Sequence, residues 1–249
     1  MELKALILAG GRGKRLENVT SNLNKCMLRF NDKPLIQYSL ENAIQAGVSE
    51  IVIVVGYCAE DIINNFGIYY RNTRIKYVIQ REQRGLVHAI QCAEETIGKA
   101  DFMTFLGDEI LVRPRHRQMV DDFNSSGAYV VCGVTEVEHR ENISKTYAVI
   151  QDPENNIYRL IEKPRNPMNN IMGTGNCIFR HGMFGYIPVT PISQIRAEKE
   201  LPDLIQCAID DGRRVRSFNI GAGYININTE TDITAMEQLF QKLVDTEDI

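Results

Sequence analysis

The sequence predicts an α/β fold with a mostly parallel central sheet. Apolar runs of strand length alternate with segments of helical period from Leu3 to Leu106, the pattern of strands joined by crossover helices. The first of these runs empties into a glycine-rich loop, where open parallel sheets hold phosphate groups. A third observation sets the scale: 249 residues, 44% hydrophobic and 24% charged, suit one large α/β domain or two small ones with a sizeable core.

Taken in order, Leu3–Ala9 reads as the first strand. Pro34–Gly47 follows a helical period, with Leu35, Ile36, Leu40, Ala43 and Ile44 on one face and Gly47 as the stop. Glu50–Val55 is a buried strand, Ala59–Phe66 a short helix, Arg74–Gln80 a strand, Val87–Ile97 a helix and Asp101–Leu106 a strand. The second part of the chain changes character. Ala128–Val134, Tyr147–Gln151, Ile157–Ile161 and Asn176–Phe179 read as strands, with Asp152–Asn156 as a turn. Leu201–Asp211 is an amphipathic helix, Val215–Ile220 a strand and Thr231–Val244 a closing helix. With no long linker, low-complexity stretch or internal repeat, residues 1–249 are expected to form one domain. Residues 1–112 would hold one ligand and residues 113–249 another, on one continuous sheet.

Composition excludes several classes. With 28 cations against 32 acids the net charge is −4, which argues against a broad nucleic-acid surface. Apolar runs fall far short of the ~20 residues of a membrane span, so no membrane partner is expected. Glu2 and Lys4 interrupt the apolar N-terminus, which is expected to be a first strand and not a signal peptide. The six cysteines lie at least 30 residues apart and form no C-x-x-C pair, so zinc is not expected and a reducing cytoplasm is. Self-association into a homo-oligomer is left open.

The loop Ala9-Gly10-Gly11-Arg12-Gly13-Lys14-Arg15-Leu16 carries the first chemistry. Its glycines let backbone N–H groups form a concave nest, suited to phosphate oxygens, and Arg12, Lys14 and Arg15 add positive charge. It is neither G-x-x-x-x-G-K-[ST] nor G-x-G-x-x-G. Further on, Gln80 precedes a polar loop and Gly85; a glutamine amide can pair with one carbonyl and one N–H of uracil or thymine together. Asp108 ends a buried strand, and magnesium takes only one or two protein carboxylates, filling the rest with water and phosphate.

These pieces together resemble the sugar-1-phosphate nucleotidyltransferase family, in its glucose-1-phosphate thymidylyltransferase-like form. The opening loop is similar to that family's G-G-x-G-x-R-L, and Lys25 stands where the family has a lysine ahead of a turn such as Asp32-Lys33-Pro34-Leu35. Gln80 with Gly85-Leu86 resembles the pyrimidine-using members, and Leu106-Gly107-Asp108 the family's L-G-D. Ile161-Glu162-Lys163-Pro164, Tyr147-Ala148 and Gly173-Thr174-Gly175-Asn176 are similar to its sugar-side segments. Gly223–Asp232 aligns with W-x-D-(I/T)-G-T-P-E-D, but Asn226 replaces the second metal-binding aspartate and Asn228 a glycine.

The resemblance implies a Rossmann-like nucleotidyltransferase sandwich and transfer of a nucleotidyl group to a sugar 1-phosphate with release of pyrophosphate. A pyrimidine triphosphate (dTTP, UTP or CTP) is the expected donor. Leu8, Ala9, Gly10, Gly11, Gly13, Gln80 and Gly85 would bind the nucleotide; Tyr147, Glu162, Gly175 and Asn176 the acceptor. Arg15, Lys25 and Lys163 would be catalytic, and Asp108 with Asn226 would hold Mg2+. Rival readings are the same chemistry on a non-sugar phosphate or phosphonate acceptor, as in a cytidylyltransferase, and a non-catalytic nucleotide-binding regulator. A glycosyltransferase would want an Asp-x-Asp metal motif, which Gly107-Asp108-Glu109-Ile110 lacks.

Overall fold

In the computed structural model, residues 2–13, 23–194, 196–227, 232 and 234 are described. The strands among them are β1 (Leu3–Ala9), β2 (Arg29–Phe30), β3 (Lys33–Pro34), β4 (Glu50–Val55), β5 (Tyr69–Tyr70), β6 (Thr73–Ile79), β7 (Asp101–Leu106), β8 (Glu109–Val112), β9 (Val130–Glu136), β10 (Tyr147–Gln151), β11 (Ile157–Glu162), β12 (Ile171–Phe179), β13 (Val215–Asn219) and β14 (Gly223–Asn226). The helices are α1 (Leu35–Ala46), α2 (Ala59–Phe66), α3 (Leu86–Cys92), α4 (Glu94–Ile97), α5 (His116–Ser126) and α6 (Leu201–Asp210).

The sheet has the spatial order β11-β10-β12-β7-β1-β4-β6-β5, with β9 on β12 and β13 on β9. Its centre, β7-β1-β4-β6, is parallel throughout, as the alternation of strands and helices implies. The second part of the chain joins through β12, whose last residues pair antiparallel with Met103 and Phe102 of β7.

Successive residues of a strand point to opposite faces. Ala5, Ile7 and Ala9 of β1 enter one apolar cluster, under α1, α2 and α5. Leu6 and Leu8 enter the other, with α3, α4 and α6. Because both faces are covered, β4 is apolar at every position from Ile51 to Val55, all buried.

Chain order runs from β1 outward to β4 and β6, then returns to the other side of β1 with β7. The loops after β1 and β7 therefore leave in opposite directions and open a crevice at the carboxyl ends of the strands, the switch point where such sheets hold ligands.

Several elements differ from the sequence expectation. The helix expected over Val87–Ile97 is two pieces, α3 and α4, meeting at Ala93. The strand expected at Asn176–Phe179 begins at Ile171. Helix α5 and the two-stranded sheet β8–β14 were not anticipated. The expected closing helix Thr231–Val244 lies outside the described residues apart from Asp232 and Thr234, which are helical.

Candidate active site

A cleft of about 550 Å³ opens at the carboxyl ends of β1 and β7. Leu8, Ala9, Gly10, Gly11, Gly13, Gln80 and Gly85 line one side, Asp108 and Asn226 the middle, and Tyr147, Glu162, Lys163 and Gly175 the other. The order of motifs along the chain thus becomes a spatial convergence.

On the first wall, Asn24 fixes the cation. Fully buried, it donates from Nδ2 to the carbonyls of Ala9 at 3.0 Å and Tyr57 at 2.7 Å. Its Oδ1 accepts from the N–H of Cys26 at 2.9 Å, capping a 3₁₀ turn over Lys25–Met27. One side chain thereby ties this turn to the end of β1 and to the loop after β4. Lys25 crosses from the turn beneath the glycine loop and ion-pairs with Asp108. Gly13 sits directly over it at φ +63, where a Cβ would meet the Lys25 side chain at 3.0 Å; both the left-handed backbone and the close approach require glycine.

Gln80, at the end of β6, departs from the expected two-point pairing with a base. Its Nε2 donates to the Gly85 carbonyl at 3.2 Å and bonds Nδ1 of His88 at 3.0 Å. Both amide hydrogens are engaged inside the protein, and only the oxygen is left for a ligand.

The middle of the cleft rests on a buried polar network. Glu109 of β8 accepts from the N–H of Gly175 at 3.1 Å, from Asn176 Nδ2 at 2.8 Å and from the Tyr224 hydroxyl. Burial, with the neighbouring Asp108 charge, pushes its carboxyl up to about 8, against the lowering effect of the Tyr224 hydroxyl, the Gly175 N–H and the Asn226 amide. Asn176, expected to bind the acceptor, is buried behind the wall with its amide divided between Glu109 and Nε2 of His116. It supports the site from beneath. The β8–β14 ladder sets Asn226 opposite Glu109, and the N–H of Ile227 bonds the Asp108 carbonyl at 3.0 Å. Asp108 and Asn226 are therefore neighbours at adjacent strand ends.

On the far wall, Lys163 holds a left-handed backbone at φ +40 and pairs with Glu162 at 3.2 Å. Tyr147 is buried; its hydroxyl donates to the Thr174 carbonyl at 2.9 Å, so it contributes its ring to the wall and not a free hydroxyl. A further departure is Arg196. Its guanidinium meets Glu162 at 3.7 Å, Glu198 at 2.5 Å and Glu200 at 3.4 Å. Burial, with the neighbouring Glu162, pushes the Glu200 carboxyl up to about 7. Glu198 also lies against Gly85, where a Cβ would run into its Oε2. This segment therefore touches both walls. Sequence reasoning missed Arg196, Glu198 and Glu200; four ionisable residues in the five-residue stretch 196–200 ahead of α6 were the available signal. Arg15 lies outside the described residues, as do Lys14 and Asn228.

A family model described as nucleotidyl transferase matches residues 4–225. The chain belongs to the nucleotidyl transferase family. The UTP–glucose-1-phosphate uridylyltransferase AglF of Haloferax volcanii is 31% identical to this nucleotidyl transferase over 96% of the chain and 97% of its own length. The low-salt glycan biosynthesis nucleotidyltransferase Agl11 of the same organism is 30% identical over 95% of the chain, which spans 66% of that protein's length. A glucose-1-phosphate thymidylyltransferase of Streptomyces griseus is 29% identical over 95% of the chain and 66% of its own length. Among solved structures, a UDP-glucose pyrophosphorylase complexed with UDP-glucose superposes with a TM-score of 0.87 over 97% of this chain and 99% of that one, at 23% identity. That likeness shows the fold: the parallel centre and antiparallel extension of this nucleotidyl transferase form a Rossmann-like sandwich. Among its described residues, no helix is long and apolar enough to cross a membrane.

Proposed function

We propose that this nucleotidyl transferase joins a pyrimidine nucleoside triphosphate to a sugar 1-phosphate, giving a nucleotide sugar and pyrophosphate. The single observation that carries the reading is the cleft in which the Lys25–Asp108 pair faces Glu162–Lys163. A phosphate-binding loop and a second cation beside a hydroxyl-accepting carboxylate suit two phosphorylated substrates. The uridylyl- and thymidylyltransferase names of the relatives point the same way.

In this reading an anionic phosphate oxygen of the acceptor attacks the α-phosphorus in line. The O–P bond forms as the bond to pyrophosphate breaks, and no general base is needed. The protein's contribution is positioning and charge neutralisation. The backbone of Gly10, Gly11 and Gly13 cradles the triphosphate, and Lys25 holds phosphate oxygen near the α-position. Lys163 holds the acceptor phosphate while Glu162 accepts from sugar hydroxyls. Arg15 is assigned to the triphosphate by resemblance alone.

Sugar nucleotidyltransferases generally need a divalent metal. Among the described residues no group of three His, Cys, Asp or Glu converges as a metal site. Magnesium does not require one: a carboxylate from Asp108 and an amide oxygen from Asn226, completed by phosphate and water, fit its preference. Glu109 is left to the supporting network, since it is buried and accepts from Gly175, Asn176 and Tyr224. When bound, the ion would neutralise phosphate charge.

We also read residues 1–249 as one domain, supported by the shared sheet, with the nucleotide on residues 1–112 and the acceptor on residues 113–249. The cysteines among the described residues are all free, which supports a cytoplasmic site of action. The test is pyrophosphate release from UTP, dTTP, CTP, ATP and GTP, each against sugar 1-phosphates and against non-sugar acceptors such as phosphocholine. Turnover only with a non-sugar acceptor, or none at all, refutes the proposal.

A further inference from the structure

The base side of the cleft contains a histidine that the reaction itself does not use. His88 lies in the first turn of α3, and its ring stands between Gln80, Arg84 and Cys92. Its two nitrogens face different donors. Nδ1 is 3.0 Å from Gln80 Nε2, and Nε2 is 3.0 Å from Arg84 Nη2. A neutral imidazole offers one lone pair, so only one of the two can be accepted.

The environment decides which. Gln80 is 4% exposed and has nowhere else to place its second amide hydrogen, whereas the Arg84 side chain is 67% exposed and can turn to water. Leaving a buried donor unmade costs more than losing an exposed contact. The lone pair therefore belongs on Nδ1 and the proton on Nε2, toward the Cys92 sulfur at 3.8 Å. Burial and the nearby Arg84 guanidinium lower the His88 pKa, against the raising effect of Glu82 through its carboxylate and its backbone carbonyl.

The same choice fixes the Gln80 amide. A carbonyl can only accept, so the Gly85 carbonyl already demands the nitrogen on that side; His88 takes the other hydrogen and removes the flipped alternative. The amide oxygen then lies beside Gly10, at 2.7 Å from where a Cβ would stand. Among the described residues nothing donates to it, and both Gln80 and Gly10 line the cleft.

We infer that His88 is a positioning residue of the base subsite: it locks the Gln80 amide with its oxygen toward the ligand, so that the site takes a pyrimidine with an imide N–H (uracil or thymine) and rejects cytosine. The inference rests on the nucleotide reading above and deepens it. Uracil and thymine carry N3–H, which this oxygen accepts. Cytosine has a lone pair at N3, so two acceptors would face each other with neither satisfied.

The experiment is calorimetric titration of the whole chain with UTP, dTTP and CTP, needing no turnover, for the parent, H88L and H88Q. H88L removes the acceptor at similar bulk, while H88Q restores one through its amide oxygen. One unpaired hydrogen-bonding group corresponds to about a tenfold change in binding, so the parent is expected to prefer UTP and dTTP over CTP by at least about that factor. H88L should lose most of this preference while keeping its fold by circular dichroism, and H88Q should retain it. A purely structural role would weaken all three nucleotides alike.

Nitrogen-15 spectra of the parent give a second readout that no folding defect can obscure, with the Nε2–H tautomer of His88 expected. CTP binding as tight as UTP, an unchanged preference in H88L, or the Nδ1–H tautomer each overturns the inference. Discriminating binding without pyrophosphate release from any acceptor would instead sink the transferase reading and leave His88 in its role. Failure of every pyrimidine triphosphate to bind would remove both.

Discussion

Replacing Asn24 by alanine tests how the cleft is assembled. The side chain makes three hydrogen bonds in a fully buried position: two donations, to the Ala9 and Tyr57 carbonyls, and one acceptance, from the Cys26 N–H. Buried groups left unpaired cost about 1–3 kcal/mol each, and a lost cap about 1 kcal/mol. Taking the lower end for each of the two carbonyls and adding the lost cap gives an expected loss of about 3 kcal/mol. Against the 5–15 kcal/mol typical of a folded domain, that is a large fraction. The same change frees the turn that carries Lys25, so turnover should fall at least about tenfold through lost positioning. Asn24→Asp sharpens the test. It keeps the acceptor for Cys26 but aims a carboxylate at two carbonyls, and it should destabilise at least as much as alanine. Urea denaturation at a constant m-value measures the first effect and pyrophosphate release the second. If Asn24→Ala stays within about 1 kcal/mol of the parent and turns over normally, the proposed anchoring of Lys25 is wrong.

Three further outcomes are expected. Lys163→Ala and Arg15→Ala should each lower turnover by at least ~10²-fold, the usual loss when one electrostatic stabiliser is removed; folded variants with near-normal pyrophosphate release would remove these residues from the chemistry. Asn226→Asp should reach half-maximal rate at lower magnesium, yet lower the melting temperature, because it sets a second carboxylate beside Glu109; Asp108→Asn should nearly abolish activity, and unchanged magnesium titrations for both would show that neither touches the metal. His116 is held neutral by burial, with its pKa lowered to about 4. Above the ordinary value near 6.5 it contributes no pH dependence, whereas below it the unfolded chain binds a proton that the folded one refuses, so the parent should lose about 2 kcal/mol between pH 7.5 and 5 that His116→Gln does not. Equal slopes for the two proteins in urea titrations would contradict this.

The centre of the sheet was legible because a strand covered on both faces has to be apolar throughout, as Ile51–Val55 is. Helix α5 was not. Its buried stripe of His116, Met119, Val120 and Phe123 has the right spacing, but it opens on a histidine and the rest of the segment is polar. β8 and β14 are two short strands that form only as a pair, so neither carries a signal of its own. In the cleft, the residues bound to the backbone by short motifs could be read, as with Lys25, Asp108 and Lys163. The residues that hold them could not, because their partners are remote in sequence. Asn24 reaches back 15 positions to Ala9, and Asn176 reaches 67 to Glu109. Gln80 shows the limit most clearly: its type was informative, but what its amide can offer depends on the Gly85 carbonyl and His88.

The apolar cluster on one face of the sheet has consequences for how ligands act on the whole molecule. It joins Leu6 and Val52, under the glycine loop, to Val149, Phe179 and Leu204, under the far wall, with Phe102 stacked on Phe179 and Phe184. Neither wall can open this cluster without exposing the other's share of it. The two binding surfaces are thus expected to melt together, as one cooperative unit. A nucleotide held by the glycine loop alone, at a hundred times its dissociation constant, would add about 2.7 kcal/mol to the folded state. That gain should slow amide exchange in β10 and β12 as much as in β1, although the nucleotide touches neither.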